Sequence, residues 1–474
     1  MTLSTDILNH GHESLSGQSI RPLYTSACVN RHSGCMSILP NRTHPDDSTA
    51  LLAFGSSHAV CLANVVRALH GTDDEHAFRQ SVPMFHVFHV LLGHDAPVIA
   101  VRWIPIPNMA SAEYEHCPYR FLASLDSSGK VLLWSCHVIS LVPDAVSQNH
   151  SNWFKVLELQ LPEACNPNAI DGCILPSGTS LHPDLIRLMI NVVADTVLCS
   201  WYIKIKITTD GLSNIFTSDP LIVQRKHTMC HCVRSMCWPL SAHQSPAHQS
   251  SSLCMVFVGL DNGNIEVWSE HVPGTPSTVE PRQLVHSATL FGHTDWVRCL
   301  DLCFRLTGST PVAFLVSGAQ DHVIRLWRLY CPDGQCSHSK EDRSTLKVAE
   351  LHLPDHVELK LCIASESVLS SHDNWITGVA WETSTGECVS FPPALLSCSM
   401  DRSMILWAPP SQPQTVHSGD EPNLWLEQIR VGDIGGTGLG FLGCDWLPAT
   451  VNGRAIIGHN FLVMLVCYSP CVLI

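Results

Sequence analysis

The chain is poor in charge, poorer still in positive charge, and has no long apolar run. Asp, Glu, Lys and Arg make up 15% of its 474 residues, and 42 acids against 27 Lys and Arg give a formal net charge of −15. Such a balance excludes a surface wholly given over to nucleic acid, though not a local basic patch. No stretch reaches the roughly 18 apolar residues of a membrane-spanning helix, so no membrane contact is expected. The N-terminal MTLSTDILNHGHE lacks the basic start and apolar run of a secretory signal. Cysteine, in contrast, is abundant: there are 22, many at apolar strand positions such as Cys299, Cys303 and Cys398. With no signal peptide, these read as free thiols packed as small hydrophobes in a reducing compartment.

What is present is concentrated between Phe291 and Leu329, which reads FGHTDWVRCLDLCF, a turn, then VAFLVSGAQDHVIRLWRL. His293 follows a glycine; Ser317 and Asp321 lie four apart, and Asp321 and Trp327 six apart. A second copy runs from SHDNWITGVAW to ALLSCSMDRSMILW, where His372, Ser397, Asp401 and Trp407 repeat the spacings of four and six. VAFLVSG and VIRLW alternate and are rich in β-branched residues, the mark of strands. Asp321 falls in the tight turn between them, where a carboxylate accepts backbone N–H bonds. Length alone would suggest two or three domains, but repeat folds escape that count.

These copies resemble the WD repeat, the unit of the β-propeller. The resemblance implies that His, Ser, Asp and Trp of each copy form a hydrogen-bonded chain tying the strands of one blade together. A buried chain of this kind is favourable only when fully satisfied. Ser, His and Asp recurring at fixed offsets in two blades is framework, not a hydrolase triad. The expected fold is all-β: a seven-bladed WD40 propeller over residues 21–460, its last blade incomplete, after a disordered 1–20 and before an atypical tail, 461–474. Blades are expected to start near 24, 98, 169, 233, 297, 376 and 439. Blade one is degenerate, with Ser57 at the turn position and Ala63 in place of Trp. In blade two Ser128 holds the turn position and Asp126 lies two residues earlier, so its network is expected to be weakened. Blade three keeps Asp195 six before Trp201 but lacks the Gly-His, and blade four has Asn262 six before Trp268. The 14 residues after Asn460 lose turn punctuation, and a shortened last blade with an open strand edge is expected.

Longer stretches resemble one WD-repeat family in particular. GHTDWVRCLDLCF with SGAQDHVIRLWRLY, SHDNWITGVAWE with LLSCSMDRSMILWAP, and above all LWLEQIRVGDIGGTGLGFLGCDW are similar to the second subunit of the Elongator complex. That family carries two tandem propellers; this sequence reads as the N-terminal one only, and a C-terminal truncation is expected. The resemblance implies a non-catalytic scaffold supporting modification of wobble uridines in tRNA. It implies binding to the first subunit and to the catalytic third subunit, which supplies the iron–sulfur cluster, S-adenosylmethionine and acetyl-CoA chemistry. No cofactor, metal or small-molecule substrate is expected for this chain, and a cytoplasmic location, with the nucleus as a second one, follows. A WD40 adaptor of another assembly, in signalling or ubiquitin transfer, is the competing class; an enzyme on a propeller is the third, for which the sequence offers no paired acids or nucleophile in context.

Other motifs are weighed against plainer explanations. Trp296 and Trp375 each follow a blade His by three residues, which puts them on one rim, as partner anchors or as packing between blades; Arg298 and Arg402 are candidates for the same surface. His227, Cys230, His231, Cys232 and Cys237 form the densest Cys/His cluster, but CHC lacks zinc-ligand spacing and strand and loop positions account for it. GGTGLG at 435–440 lacks a following helix and a phosphate-loop Lys, so it reads as a turn. CVLI at 471–474 has the form of a prenylation box without a basic stretch before it. Arg325, Arg328, Lys340, Arg343 and Lys347 read as a solvated face, with weak contact to tRNA phosphates as the alternative.

Overall fold

Strands form where the sequence alternates, and their burial follows the alternation only at the outer edge. The edge strand Leu221–Gln224 alternates between half-buried and exposed positions, whereas Ser252–Leu260 is buried at every position. The second kind lies between two other strands of its blade with neighbouring blades on both faces, which is why it reads as a continuous apolar run.

The computed structural model describes residues 30, 32–39, 49–67, 83–105, 118–137, 153–162, 165–175, 185–208, 211–240, 252–271, 283–307, 310–332, 346–353, 359–382, 392–409, 424–432 and 440–446. Within them lie six antiparallel sheets, each built from strands consecutive in sequence. Their innermost strands are Met36–Leu39, Val98–Trp103, Pro167–Leu175, Cys230–Pro239, Val297–Thr307 and Ile376–Trp381. Blades three and five carry a fifth strand: Leu221–Gln224 pairs with Val197–Thr208, and Leu346–Glu350 lies outside Cys362–Leu369.

The expected count of seven blades is therefore corrected to six. From residue 440 the chain forms no strand up to Trp446, and nothing beyond is described. The stretch 440–446 nevertheless fills the space between blade six and blade one. Thr377 Oγ1 donates to the Phe441 carbonyl at 2.5 Å, and Trp446 Nε1 to the Ala380 carbonyl at 2.9 Å. On the other side the Asp445 carboxylate accepts from the Ile38 backbone N–H at 3.0 Å. Asp171 does the same for Ser235 of blade four, and Asp301 for Trp381 of blade six. The first blade begins at Met36; the strand expected over Tyr24–Val29 and the tail 461–474 lie outside the described residues. The starts expected near 98, 169, 233, 297 and 376 fall within three residues of observed strands, and the start near 439 has no strand among the described residues.

The apolar core lies between blades rather than inside them. One cluster joins blades one and two, the next blades two and three, and so on to blades five and six, with Phe441 and Trp446 packed on blade six. Each blade is thus stabilised mainly by stacking on its neighbours. Cysteine has a repeated part in this. Cys35, Cys232 and Cys299 occupy matching inner-strand positions, and each thiol points to a carbonyl of the next blade: Val98 at 3.2 Å, Val297 at 3.4 Å and Ile376 at 3.9 Å. Cys232 and Cys299 each face a cross-strand glycine, Gly259 and Gly318. A Cβ on Gly259 would come within 2.5 Å of the Cys232 sulfur, so the small residue makes room for the thiol. Blade six inverts the pair, with Gly378 opposite Cys398.

Candidate functional site: the rim and the network beneath it

The two predicted networks form as the spacing requires. In blade five, His293 Nδ1 meets Asp321 Oδ2 at 2.9 Å, His293 Nε2 meets Ser317 Oγ at 2.8 Å, and Trp327 Nε1 donates to Ser317 Oγ at 3.0 Å. In blade six the corresponding distances for His372, Asp401, Ser397 and Trp407 are 2.9, 2.8 and 2.9 Å. With a neutral imidazole the chain runs one way: Trp N–H to Ser Oγ, Ser O–H to His Nε2, His Nδ1–H to Asp. Ser317 and Ser397 are both 0% exposed, so neither hydroxyl reaches a substrate, and the resemblance to a hydrolase triad ends there.

Blade two corrects the expectation of a weakened network. His94 Nδ1 lies 2.9 Å from Asp126, His94 Nε2 2.7 Å from Ser124, and Trp134 Nε1 donates to Ser124 Oγ at 2.9 Å. The carboxylate comes from the strand end, two residues before the turn position. Residues two apart on a strand face the same side, so Asp126 sits on the face of Ser124 and meets the same histidine; Ser128, at the turn position, donates its hydroxyl to Asp126. Counting back from Trp134 missed this, and the period of two would have found it.

Burial would raise these carboxyls, but the hydrogen bonds they accept win. His94, Ser128 and the Lys130 backbone N–H bring Asp126 down to about 2. His293 and the Thr294 and Val323 N–H groups lower Asp321, and His372, Ser403 and Asp373 lower Asp401 further.

Blades one, three and four solve the same problem with other groups. Asn30 bonds the backbone of Ser57 in both directions, at 2.6 and 2.8 Å. Asp195, at the predicted turn with φ 39°, accepts from the Asn166 N–H at 2.8 Å. In blade four Asn262 accepts from Asn264 N–H at 3.0 Å, while Trp268 Nε1 donates to Glu266, which is paired with Arg225.

Above the networks lies the rim. Trp296 and Trp375 occupy matching positions there: each carbonyl accepts from the far turn of its blade, Gln320 and Met400. Both rings are partly open, 38% and 43% exposed. Trp296 stacks on His231 with centroids 4.5 Å apart, while Arg298 lies close enough to act on His231 and His32; burial first, and then its charge, lower both imidazoles below their ordinary value. Arg402, at φ 68°, follows Asp401 in the blade-six turn and so shares the rim with Trp375. Along the axis Arg102 pairs with Asp171 at 3.0 Å and reaches Asp301 at 3.7 Å, and Arg234 reaches Asp301 at 3.4 Å.

The predicted Cys/His cluster does not converge. Cys230 meets Arg225, Cys232 the Val297 carbonyl, and His231 stacks on Trp296. Only Cys237 joins other thiols, those of Cys173 and Cys254, which the sequence holds far away. Of the basic residues, Arg328 pairs with Glu366 and Lys347 with Glu350; Lys340 and Arg343 lie outside the described residues, as do GGTGL at 435–439 and CVLI.

Sheets of consecutive antiparallel strands, with a Trp–Ser–His–Asp chain in three of them, make this a WD-repeat β-propeller. The model of the WD domain, G-beta repeat, matches residues 284–328 and 363–408, the two blades where the spacing is clearest. The chain is 25% identical over 460 residues to Elongator complex protein 2 of Drosophila melanogaster, covering 93% of this chain and 45% of the relative. The relative of that name from Arabidopsis thaliana is 24% identical over 79% of this chain and 40% of its own length; that from Homo sapiens is 35% identical over 36% and 19%. The chain is thus similar to relatives named Elongator complex protein 2, and spans less than half their length.

Proposed function

We propose that the chain is a non-catalytic scaffold of the Elongator complex, which supports modification of wobble uridines in tRNA by binding the other subunits. The observation that carries this is the similarity to Elongator complex protein 2 along 93% of the chain. The fold supports a binding role. Its networked Ser, His and Asp groups are spent on tying the strands of a blade together, and the partly open Trp296 and Trp375 stand at matching rim positions, where Trp is suited to anchor a partner. Trp296 and Trp375 are the proposed anchors, flanked by Arg298 and Arg402. The first and the catalytic third subunits are the proposed partners, with the cytoplasm, and the nucleus secondarily, as the site of action. Direct tRNA contact is a minor part of the proposal, since Arg328 and Lys347 already face acids.

The test is a tagged purification of the chain from cells, with mass spectrometry of the proteins recovered. Recovery of the first and third Elongator subunits, reduced several-fold by Trp296→Ala with Trp375→Ala, is expected. Reproducible recovery of an unrelated signalling or ubiquitin-transfer assembly in their place would sink the proposal in favour of a general WD40 adaptor.

A further inference from the structure

The interface of blades three and four holds four sulfurs that the repeating architecture does not account for. Cys173 and Met189 are directly opposite each other across two strands of blade three; Cys237 and Cys254 are directly opposite across two strands of blade four. The two pairs face each other between the sheets. Cys173 Sγ lies 3.5 Å from Cys254 Sγ, and Cys254 Sγ 3.3 Å from Met189 Sδ. The three thiol sulfurs all lie within 4.8 Å of one another, the one such group of three among the described residues.

We propose that Cys173, Cys237 and Cys254, with Met189 beside them, form a buried site for a soft d10 metal ion, Zn²⁺ or Cu⁺. The donor set decides the class. Thiolates and a thioether select soft ions and disfavour Mg²⁺, Ca²⁺ or Mn²⁺, which want oxygen. Size agrees: four Zn–S bonds of about 2.3 Å in a tetrahedron put the sulfurs roughly 3.8 Å apart, close to the spacings here. Position agrees too. Cys35, Cys232 and Cys299 each point to a carbonyl of the next blade, and Cys237 points to that of Ile174 at 3.3 Å, whereas Cys173 and Cys254 are turned to one another. Binding releases one proton for each thiol that becomes a thiolate ligand, and the ion then cross-links two blades from within.

The test is metal binding by the intact chain, purified reduced and stripped of metal, with Zn²⁺ and Cu⁺ as separate probes. One equivalent per chain is expected, with Cys173, Cys237 and Cys254 then protected from iodoacetamide as read by peptide mass spectrometry. Cys254→Ser removes that equivalent, while Cys136→Ala, at a buried thiol of blade two outside the group, leaves it. Should Cys254→Ser fail to fold, Met189→Leu keeps the volume and lowers affinity for Cu⁺ by about 10- to 100-fold, the loss typical when a supporting partner of a metal site is removed. A preference for Cu⁺ over Zn²⁺ would bring the thioether into the ligand set, and the reverse would leave the three thiolates to act alone. No stoichiometric binding of either ion, undiminished binding by Cys254→Ser, or oxidation to a Cys173–Cys254 disulfide with no metal uptake would overturn the site.

Discussion

Blades two, five and six each hold a complete Trp–Ser–His–Asp chain, and blades one, three and four do not, yet all six build the same antiparallel sheet. The difference separates what makes a blade from what locks it. Strand pairing and the apolar clusters between blades are common to all six. The network is an addition that fixes the loop entering the inner strand onto the turn between the second and third strands. Where it is lost, something shorter ties the same two points: Asn30 to the Ser57 backbone, or Asp195 to Asn166. In blade four the tryptophan keeps its place but donates to Glu266 instead of a serine.

The comparison is broken most sharply at the tryptophans. Trp327→Ala removes a fully buried ring and the donor to Ser317, and is expected to cost about 3–5 kcal/mol. Trp268→Ala, in a blade without the chain, is expected to cost visibly less, and equal losses in paired thermal-unfolding measurements would show that packing alone sets both. Next come the carboxylates. Asp126→Ala leaves the buried His94 Nδ1–H unpaired, and Asp401→Ala leaves His372 Nδ1 only the Ser403 hydroxyl, at about 1–3 kcal/mol each, against under about 1 kcal/mol for Asn262→Ala, whose exposed amide bonds only its own turn. If Asp126→Ala matched Asn262→Ala, the blade-two network would be geometry without energy.

Acid sharpens the same contrast. Asp126, Asp321 and Asp401 have carboxyls lowered on folding, so each contributes stability that is fully present above the ordinary aspartate pKa of about 3.9. That contribution is lost as pH falls through the folded value, about 2 for Asp126. The melting temperature should therefore fall from roughly pH 4 downward, and Asp126→Asn should flatten that limb relative to the unsubstituted chain. The smallest effect on stability belongs to the rim: Trp296→Ala and Trp375→Ala are expected to shift it by no more than about 0.5–1 kcal/mol each while weakening partner recovery.

How much of this was legible depended on how far apart in sequence the contacts lie. His293, Ser317, Asp321 and Trp327 were readable because one blade is one contiguous stretch, so fixed offsets carry the geometry. Asp126 was readable in principle, since it shares a face with Ser124, but counting a turn from Trp134 pointed to Ser128. The blade count failed for a different reason. DIGGTGLGFLGCDW has the composition of an inner strand, but composition does not supply a pairing partner, and residues 440–446 pack and bond by side chains without joining a ladder. The Cys–Gly pairs and the sulfurs of blades three and four depend on register and on which blades touch, neither of which a single sequence displays. Trp296 and Trp375 share a fixed offset from the blade histidines, but Trp296 also lies flat on His231, a contact between blades four and five that no motif announces.

The segment 440–446 gives the ring one joint unlike the rest. Elsewhere sheet meets sheet over broad apolar faces; here, among the described residues, the strip 440–446 bridges two blades through Phe441, Trp446 and the bond from Ile38 to Asp445. Mechanically this is a split ring with a clasp. Opening forces concentrate at the clasp, so the disc should part there first under load, and amide exchange at Ile38 should outpace that at the matching amides of Ser235 and Trp381.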